Sequence, residues 1–337
     1  MMRKWGLVLS VLVAAALVLS ACGEGSKKGA GADFKIGLVT DVGGIDDKSF
    51  NQSAWDGLER VKKDTGAATK FLESKGEADM EPNLNNFVKE GYSLTWGIGF
   101  LFQDAMTKVA KQNPDAKLAL IDNEIDLPNV SSVMFAENEG AFLVGVVAGL
   151  MTKSGKIGFV GGMDIPVIHR FDAGFEAGIK AVNPNAEILK NYVGEFMRPD
   201  LGKQAAATLY DNGADIVFQA AGNSGTGVFN EARERKDAGK DVWVIGVDKD
   251  QSIDFGDDIT LTSMMKGVEQ AVYKVSKDFM DGNFEGGKVV TLGLKDDGVG
   301  LPQENKNVPE DVLKKVDEYK QKIIKGEIVV PTAPAGK

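Results

Sequence analysis

The chain has 337 residues, with 39 Lys plus Arg against 49 Asp plus Glu, one Cys, one His and a formal net charge of −10. These counts exclude a disulfide framework and a His-rich metal site, and the acidic balance disfavours a nucleic-acid-binding protein. The length suggests about two domains, and an apolar fraction of 43% with 26% charged residues is typical of a folded globular protein.

The N-terminus has the features of a secretory signal peptide. Two basic residues precede an almost unbroken apolar run from Leu7 to Leu19, which is too short to span the ~30 Å hydrocarbon core as a permanent anchor. Small residues then precede Cys22, as in the lipobox of bacterial lipoproteins. We expect a signal peptide over residues 1–21, diacylation of Cys22 and a flexible tether over residues 22–33. The alternative is an ordinary signal peptide with an incidental cysteine.

From Asp33 onward, short apolar runs rich in β-branched residues alternate with amphipathic stretches of helical length, which is typical of repeated βα units and a parallel sheet. In the first series the predicted strands are 34–40, 70–73, 95–99, 117–121 and 130–135. The predicted helices of this series are 49–64, 81–89, 102–112 and 140–152. Trp55, Leu58 and Val61 form one apolar face of the first helix.

The same alternation restarts at residue 156. The predicted strands of this second series are 156–160, 188–193, 215–219 and 242–247, and a further strand is predicted at 259–263. Its predicted helices are 170–182, 201–212 and 227–238. Two successive βα series predict an α/β chain with two lobes, each a sheet covered on both faces.

Polar residues follow several predicted strands at their carboxyl ends, where open α/β sheets bind ligands. Asp41, Asp122 and Asp248 each follow a strand, and the strand 259–263 leads to Lys266. Asp is also a common turn and helix-capping residue, so each of the three alone has a purely structural interpretation. As a group they predict a polar ligand crevice.

Aromatic and Gly residues lie beside these carboxylates. Phe50 and Phe218 flank the predicted crevice, and two rings can hold a planar heteroaromatic ligand, although for either Phe alone a place in the core is the favoured interpretation. The Gly-rich run 222–227 has the spacing G-x-x-G-x-G rather than the dinucleotide fingerprint G-x-G-x-x-G. We interpret Gly222 as part of a turn that lets a ligand approach the backbone.

Little in the sequence supports catalysis. His169 has no second His with which to bind a metal, and the chain lacks a G-x-S-x-G elbow. We interpret His169 as a surface or rim side chain. Carboxylate pairs also act in glycosidases, but sequence does not show the distance between them. We therefore predict no catalytic residue, no metal and no cofactor.

Several motifs are shared with one known family. They are the lipobox at Cys22, the run 39–41, the motif Asp-Lys-Ser-Phe-Asn-Gln at 47–52, and the segments 140–145, 156–163 and 171–178. With these motifs the chain resembles, from about residue 34 to about residue 324, the basic membrane protein family of purine-nucleoside-binding lipoproteins. The family name contains the word basic, but this chain is acidic, with a net charge of −10.

The resemblance implies a type I periplasmic-binding-protein fold, in which three crossovers join two doubly wound α/β lobes. The crossovers would lie near Glu137, Asp248 and Asn283. The implied divisions are residues 34–136 plus 249–283 for lobe 1, 137–248 plus 284–325 for lobe 2, and 326–337 for a C-terminal tail.

The resemblance also implies a nucleoside site between the lobes. Phe50 and Phe218 would stack on the two faces of the base, and Asp122 would hydrogen-bond the base. The residues around the ribose would be Asp41, Asn51, Gly222, Asp248 and Lys266. A carboxylate can accept both hydroxyl protons of a ribose diol, and Lys can donate to ring or hydroxyl oxygens.

By the same resemblance, the protein would be a monomeric, lipid-anchored component of an ABC importer on the extracytoplasmic face of the cell membrane. It would deliver nucleosides, with purine nucleosides favoured, to permease subunits, and lobe closure would signal capture. Two alternatives stay open. One is a binding protein for a sugar, an amino acid or an autoinducer on the same scaffold, and the other is a surface-anchored nucleoside hydrolase or glycosidase.

Overall fold

The computed structural model describes residues 33–336. The predicted signal peptide, the lipidation of Cys22 and nearly all of the predicted tether therefore lie outside the described residues. In chain order the strands are β1 (Lys35–Thr40), β2 (Ala68–Glu73), β3 (Leu94–Ile98), β4 (Leu118–Ile121), β5 (Val130–Phe135), β6 (Lys156–Gly161), β7 (Glu187–Tyr192), β8 (Ile216–Ala220), β9 (Trp243–Asp248), β10 (Thr260–Lys266), β11 (Val289–Leu292) and β12 (Val299–Gly300).

Helices of the described residues alternate with these strands for most of the chain. They are α1 (Phe50–Thr65), α2 (Glu77–Lys89), α3 (Gln103–Gln112), α4 (Glu137–Met151), α5 (Pro166–Val182), α6 (Pro199–Asp211), α7 (Ser224–Asp237), α8 (Ser252–Phe255), α9 (Val268–Met280) and α10 (Glu310–Ile324), with short 3₁₀ turns at Phe100–Phe102 and Leu294–Asp296. Among the residues described, no helix is both long and apolar enough to cross a membrane.

Two sheets divide the described chain into two lobes, as the sequence predicts. The first sheet has the order β11-β5-β4-β3-β1-β2, and its neighbouring strands all run parallel. The second has the order β12-β10-β9-β8-β6-β7 and is parallel except for the short β12. The central strands β3, β4 and β8 are buried at every position, because helices cover both faces of each sheet.

The chain crosses between the lobes three times, and two crossovers differ from the expected positions. The first follows β5 and leads into α4 at Glu137. The expected crossovers at Asp248 and Asn283 are wrong, because β10 pairs with β9 in the second sheet and β11 pairs with β5 in the first. The chain therefore crosses after Lys266 and again after Leu292. Residues 249–266 belong to lobe 2, and residues 284–292 belong to lobe 1.

Helices α4 and α5 pack closely beneath the second sheet, and glycines allow this contact. A Cβ on Gly178 would lie 2.0 Å from the carbonyl oxygen of Phe142. Because this oxygen belongs to the backbone of α4, it could move away only if the helix itself shifted. The Gly spacing of the 171–178 motif thus serves helix packing. It fixes α5, the helix that carries Arg170 and Phe171.

Candidate ligand-binding site

A cavity lies between the lobes, at the carboxyl ends of strands from both sheets. Its empty volume is about 570 Å³, including the part open to solvent, which is within the roughly 300–1,000 Å³ of typical small-molecule sites. The lining residues of lobe 1 include Asp41, Asp47, Phe50, Asn51, Gly99, Phe100 and Asp122. Those of lobe 2 include Ile165, Ile168, Phe171, Phe196, Ala220, Gly222, Val247, Asp248 and Lys266.

Most of the predicted site residues come together at this cavity. The ones that line it are Asp41, Phe50, Asn51, Asp122, Gly222, Asp248 and Lys266. They come from both lobes and from distant parts of the chain, because the carboxyl ends of parallel strands meet at one edge of each sheet. Their contact with a ligand stays a prediction.

Phe218 does not line the cavity. Its side chain is fully buried in the core of lobe 2, with its ring centroid 4.9 Å from that of Phe175 and 5.7 Å from that of Phe159. It points from β8 toward α5, while Ala220 at the end of the strand reaches the cavity. The prediction that Phe218 stacks on the ligand is therefore wrong.

The aromatic residues of lobe 2 that do line the cavity are Phe171 on α5 and Phe196. Phe196 lies in the irregular segment between β7 and α6, where no periodic pattern marks it. The Gly-rich turn helps to hold this segment, because Ser224 donates its backbone N–H to the Phe196 carbonyl at 2.9 Å, and its hydroxyl donates to the carbonyl of Glu195 at 2.9 Å. Sequence reasoning missed both rings as site residues, although Phe171 belongs to a family motif.

Asp47 caps the start of α1 and holds Asn51 in place. Its carboxylate accepts backbone N–H groups from Ser49, Asn51 and Gln52 at 2.8–3.1 Å. These donors are the groups that a helix N-terminus leaves without partners, so the carboxylate stabilises the helix. Burial raises the pKa of Asp47 to about 7, against its hydrogen bonds. No sequence motif described above marks Asp47 for this role.

Asp41 and Asn51 form a polar pair on the lobe 1 side. Asn51 donates from Nδ2 to Asp41 Oδ1 at 2.8 Å, and its own Oδ1 is buried without a hydrogen-bond partner in the described structure. A Cβ on Gly99, which has φ +119°, would lie 2.9 Å from Asp41 Oδ2. Burial raises the pKa of Asp41. The pair thus presents acceptor oxygens to a ligand that carries donors.

Asp122 and Asp248 end strands in opposite lobes, and both have left-handed backbone conformations, with φ of 69° and 66°. Asp tolerates this conformation better than most residues, and such conformations occur often at binding sites. Asp122 Oδ1 is buried without a hydrogen-bond partner in the described structure. Burial raises the pKa of both carboxyl groups, while the charge of Lys266 opposes the shift.

Lys266 is a buried cation at the cavity. Its Nζ lies 2.6 Å from Asp122 Oδ2, 3.0 Å from Glu137 Oε1 and 4.9 Å from the centre of the Phe50 ring. Burial alone would lower the pKa of Lys266, but the nearby carboxylates outweigh burial and raise it. The ammonium therefore stays charged. It also bridges the lobes, since Asp122 belongs to lobe 1 and Lys266 ends β10 of lobe 2.

Further contacts join the lobes beside the cavity-lining Asp248. The Ser49 hydroxyl donates to Asp248, and Gln251 Nε2 donates to the carbonyl of Lys48 at 2.9 Å. Gln251 is itself held by Gln219, whose Nε2 donates to Gln251 Oε1 at 2.7 Å. The structure therefore has its lobes closed on each other. Sequence reasoning missed Gln251, which follows no motif.

The structure also bears on metal sites and on His169. Within residues 33–336, no group of three or more His, Cys, Asp or Glu side chains is arranged to hold a metal ion. His169 lies on α5 beside Asp164, and it is not among the residues that line the cavity.

Known proteins similar to this chain include binding proteins of transporters. A family model described as ABC transporter substrate-binding protein PnrA-like (Bmp) matches residues 34–333. The ABC transporter nucleoside-binding protein BmpA of Lactococcus lactis is 40% identical, covering 96% of this chain and 98% of that protein. The CD4+ T-cell-stimulating antigen of Listeria monocytogenes is 46% identical, covering 98% and 99%.

Solved structures show the same fold. A solute-binding protein of an ABC transporter system from Aeropyrum pernix has a TM-score of 0.81 at 33% identity, covering 88% of this chain and 94% of that one. A periplasmic binding protein/LacI transcriptional regulator from Alkaliphilus metalliredigens, complexed with D-xylulofuranose, has a TM-score of 0.62 at 14% identity, covering 82% and 99%. The latter likeness concerns the fold alone, which is the type I periplasmic-binding-protein fold expected from the sequence.

Proposed function

Because the chain belongs to the Bmp family of PnrA-like ABC transporter substrate-binding proteins, we propose that it captures nucleosides for an ABC importer. Proteins of this kind are not enzymes, and they work on the extracytoplasmic side with permease subunits. The hydrolase and glycosidase alternatives are therefore not retained. Purine nucleosides are the favoured ligands within this proposal.

The observation that carries the proposal is the pairing of aromatic rings with carboxylates in one cavity closed between two lobes. Phe50 from lobe 1 and Phe196 from lobe 2 supply flat apolar surfaces suited to a nucleobase. Asp41 and Asp248 supply acceptors suited to the hydroxyl groups of a ribose. A nucleoside has both features. The relative from Lactococcus lactis, which is named as nucleoside-binding, supports the same ligand class.

Polar groups at the cavity give each part of the ligand a partner. Asp122 Oδ1 and Asn51 Oδ1, which are buried without hydrogen-bond partners in the described structure, are acceptors suited to N–H groups of the base. Lys266 has three N–H donors, and two carboxylates already contact it. It is the one cation among the described residues that line the cavity, so a phosphate would face mostly carboxylates. Nucleosides therefore fit better than nucleotides.

Calorimetric titration of the full chain with adenosine, guanosine, inosine, cytidine and uridine tests the ligand class. We expect binding of purine nucleosides and weaker or no binding of AMP. Asp248→Ala should weaken binding by more than about tenfold, a loss of about 1.4 kcal/mol or more. Absence of binding to every nucleoside would refute the proposal. Binding of free ribose as tightly as adenosine would favour the sugar-binding alternative.

The lipid anchor and the monomeric state belong to the same proposal. Support for the anchor is the apolar run from Leu7 to Leu19 followed by small residues and Cys22, all of which lie outside the described residues. Metabolic labelling with radioactive palmitate in a bacterial host should label the wild-type protein and not Cys22→Ser. Equal labelling of both proteins would refute the anchor. Sedimentation analysis in detergent would test the monomer.

A further inference from the structure

We propose that Glu137 and Arg170, which do not line the cavity, position Lys266 and Asp122. They would thereby couple ligand capture to the hinge, which we define as the three segments where the chain crosses between the lobes. This inference rests on the proposed nucleoside-binding function. Both residues are part of a continuous chain of charges that begins behind the hinge and ends at the cavity.

The four side chains alternate in charge along this chain. Arg170 donates from Nε to Glu137 Oε2, Glu137 Oε1 lies 3.0 Å from Lys266 Nζ, and Lys266 Nζ lies 2.6 Å from Asp122 Oδ2. The Glu137, Lys266 and Asp122 side chains are at most 5% exposed, and that of Arg170 is 15% exposed. Charges this deeply buried are stable only while paired, so each member depends on the next.

The chain of charges joins the parts of the fold that move relative to each other when lobes open. Glu137 is the first residue after the crossover from β5, and Lys266 is the last before the crossover into α9. Asp122 belongs to lobe 1, and Arg170 to α5 of lobe 2. Arg170 also lines a groove on the outer side of the hinge, beside Phe135 and Val330. Rotation about the hinge must therefore stretch or re-pair these contacts.

Glu137 competes with Asp122 for the ammonium group of Lys266. With Glu137 present, the ammonium lies between two carboxylates, and Asp122 keeps its Oδ1 free for the ligand. Arg170 in turn holds Glu137. Burial would raise the pKa of Glu137, but Lys266 and Arg170 outweigh it and lower the pKa, so Glu137 stays ionised. Without Arg170, Glu137 would compete more strongly for Lys266, and the ligand-facing geometry of both cavity residues would change.

The test compares variants of the full chain by calorimetric titration with the tightest-binding nucleoside. We expect Arg170→Met and Glu137→Gln each to weaken binding by about tenfold or more, and Arg170→Lys to remain within about threefold of wild type because it keeps the charge. Lys190→Met is the matched control. Lys190, whose side chain is 27% exposed, forms an ion pair at 2.6 Å with the buried Asp172 in lobe 2 and does not line the cavity, so its loss should leave affinity unchanged.

Hydrogen exchange distinguishes a positioning role from a merely structural one. In wild type, adding nucleoside should slow exchange of the amides at 136–138 and 266–268, where the chain crosses the hinge. In Arg170→Met at saturating nucleoside, this protection should be lost, while the amides of β3 and β8 exchange as in wild type. If Arg170→Met does not fold, Glu137→Gln, which keeps the side-chain size, carries the same measurement.

Several outcomes would overturn the inference. Affinities of Arg170→Met and Glu137→Gln within about twofold of wild type would do so, as would unchanged hinge protection. An equal loss of affinity in Lys190→Met would show that any broken ion pair has the same effect. If the wild-type protein binds no nucleoside, the proposed function itself fails. Nucleoside binding by wild type together with unaffected variants refutes the positioning role alone.

Discussion

The Ser49 hydroxyl, immediately before α1 in lobe 1, donates a hydrogen bond to the Asp248 carboxylate at the end of β9 in lobe 2. Both side chains are buried. The bond exists only while the lobes are together, and its acceptor is a carboxylate proposed to bind the ribose. Under that proposal, Asp248 connects the ligand to the closed arrangement of the lobes.

Ser49→Ala should make the closed form easier to open. A hydrogen bond to a charged group contributes about 1.5–3 kcal/mol, so we expect nucleoside dissociation to accelerate by about tenfold or more, with little change in association. Stopped-flow displacement measures both rates. The control is Ser53→Ala on the same helix, whose hydroxyl donates to the Ser49 carbonyl within lobe 1. Equal acceleration in both variants would contradict a role in closure.

Phe218→Ala should mainly reduce stability, whereas Phe50→Ala should mainly reduce nucleoside affinity. Phe218 is fully buried in the core, so its truncation should lower the free energy of unfolding by about 3–5 kcal/mol while affinity stays within about threefold of wild type. Phe50→Ala should weaken nucleoside binding by more than about tenfold with a smaller stability loss. Denaturant unfolding and calorimetric titration measure the two quantities. A large affinity loss in folded Phe218→Ala would restore the original stacking assignment.

Phe196 should act as the aromatic partner of Phe50 across the cavity. We expect Phe196→Ala to weaken nucleoside binding by about tenfold and Phe196→Tyr to bind nearly as wild type, because a ring of similar size remains. Fluorescence or calorimetric titration provides the affinities. If Phe196→Ala binds normally and Phe171→Ala does not, the second ring is Phe171, which also lines the cavity.

The stability of the protein should depend on pH through Asp47. Burial raises its pKa from an ordinary value of 3.8 to about 7, so between these values the folded protein holds a proton that the unfolded chain has released. This contribution to stability is greatest below the unfolded pKa and is lost as the pH rises through about 7. The free energy of unfolding should therefore fall from about pH 5 to about pH 8 more steeply in wild type than in Asp47→Asn, by at most about 1.4 kcal/mol per pH unit.

Denaturant unfolding at several pH values gives these slopes. Asp46→Asn is the matched control, because Asp46 is the exposed neighbour of Asp47. Its slope should equal that of wild type. Parallel pH profiles for wild type and Asp47→Asn would contradict the raised pKa.

Part of the binding site can be predicted without coordinates, for a physical reason. The carboxyl ends of parallel strands meet at one edge of a sheet, so polar residues that follow strands converge there. Asp41, Asp122, Asp248 and Lys266 all do so. Phe50 and Asn51 follow because they begin the helix after β1.

Other features of the site depend on packing that no local pattern records. Strand β8 is buried on both faces, so alternation does not reveal that Phe218 points into the core. Phe196 lies in an irregular segment, which has no helical or strand periodicity of apolar residues that could predict where its side chain points. Glu137 and Arg170 are 33 residues apart and meet only because α4 packs on α5.

The sequence by itself determined the α/β class, the two lobes and the family, since these depend on apolar periodicity and short motifs. Tertiary structure alone decided that β10 belongs to the second sheet and β11 to the first. The sheet that each strand joins depends on its long-range pairing, with β9 for β10 and with β5 for β11. The same long-range packing brings Ser49 to Asp248 and Glu137 to Lys266, which no interval along the chain encodes.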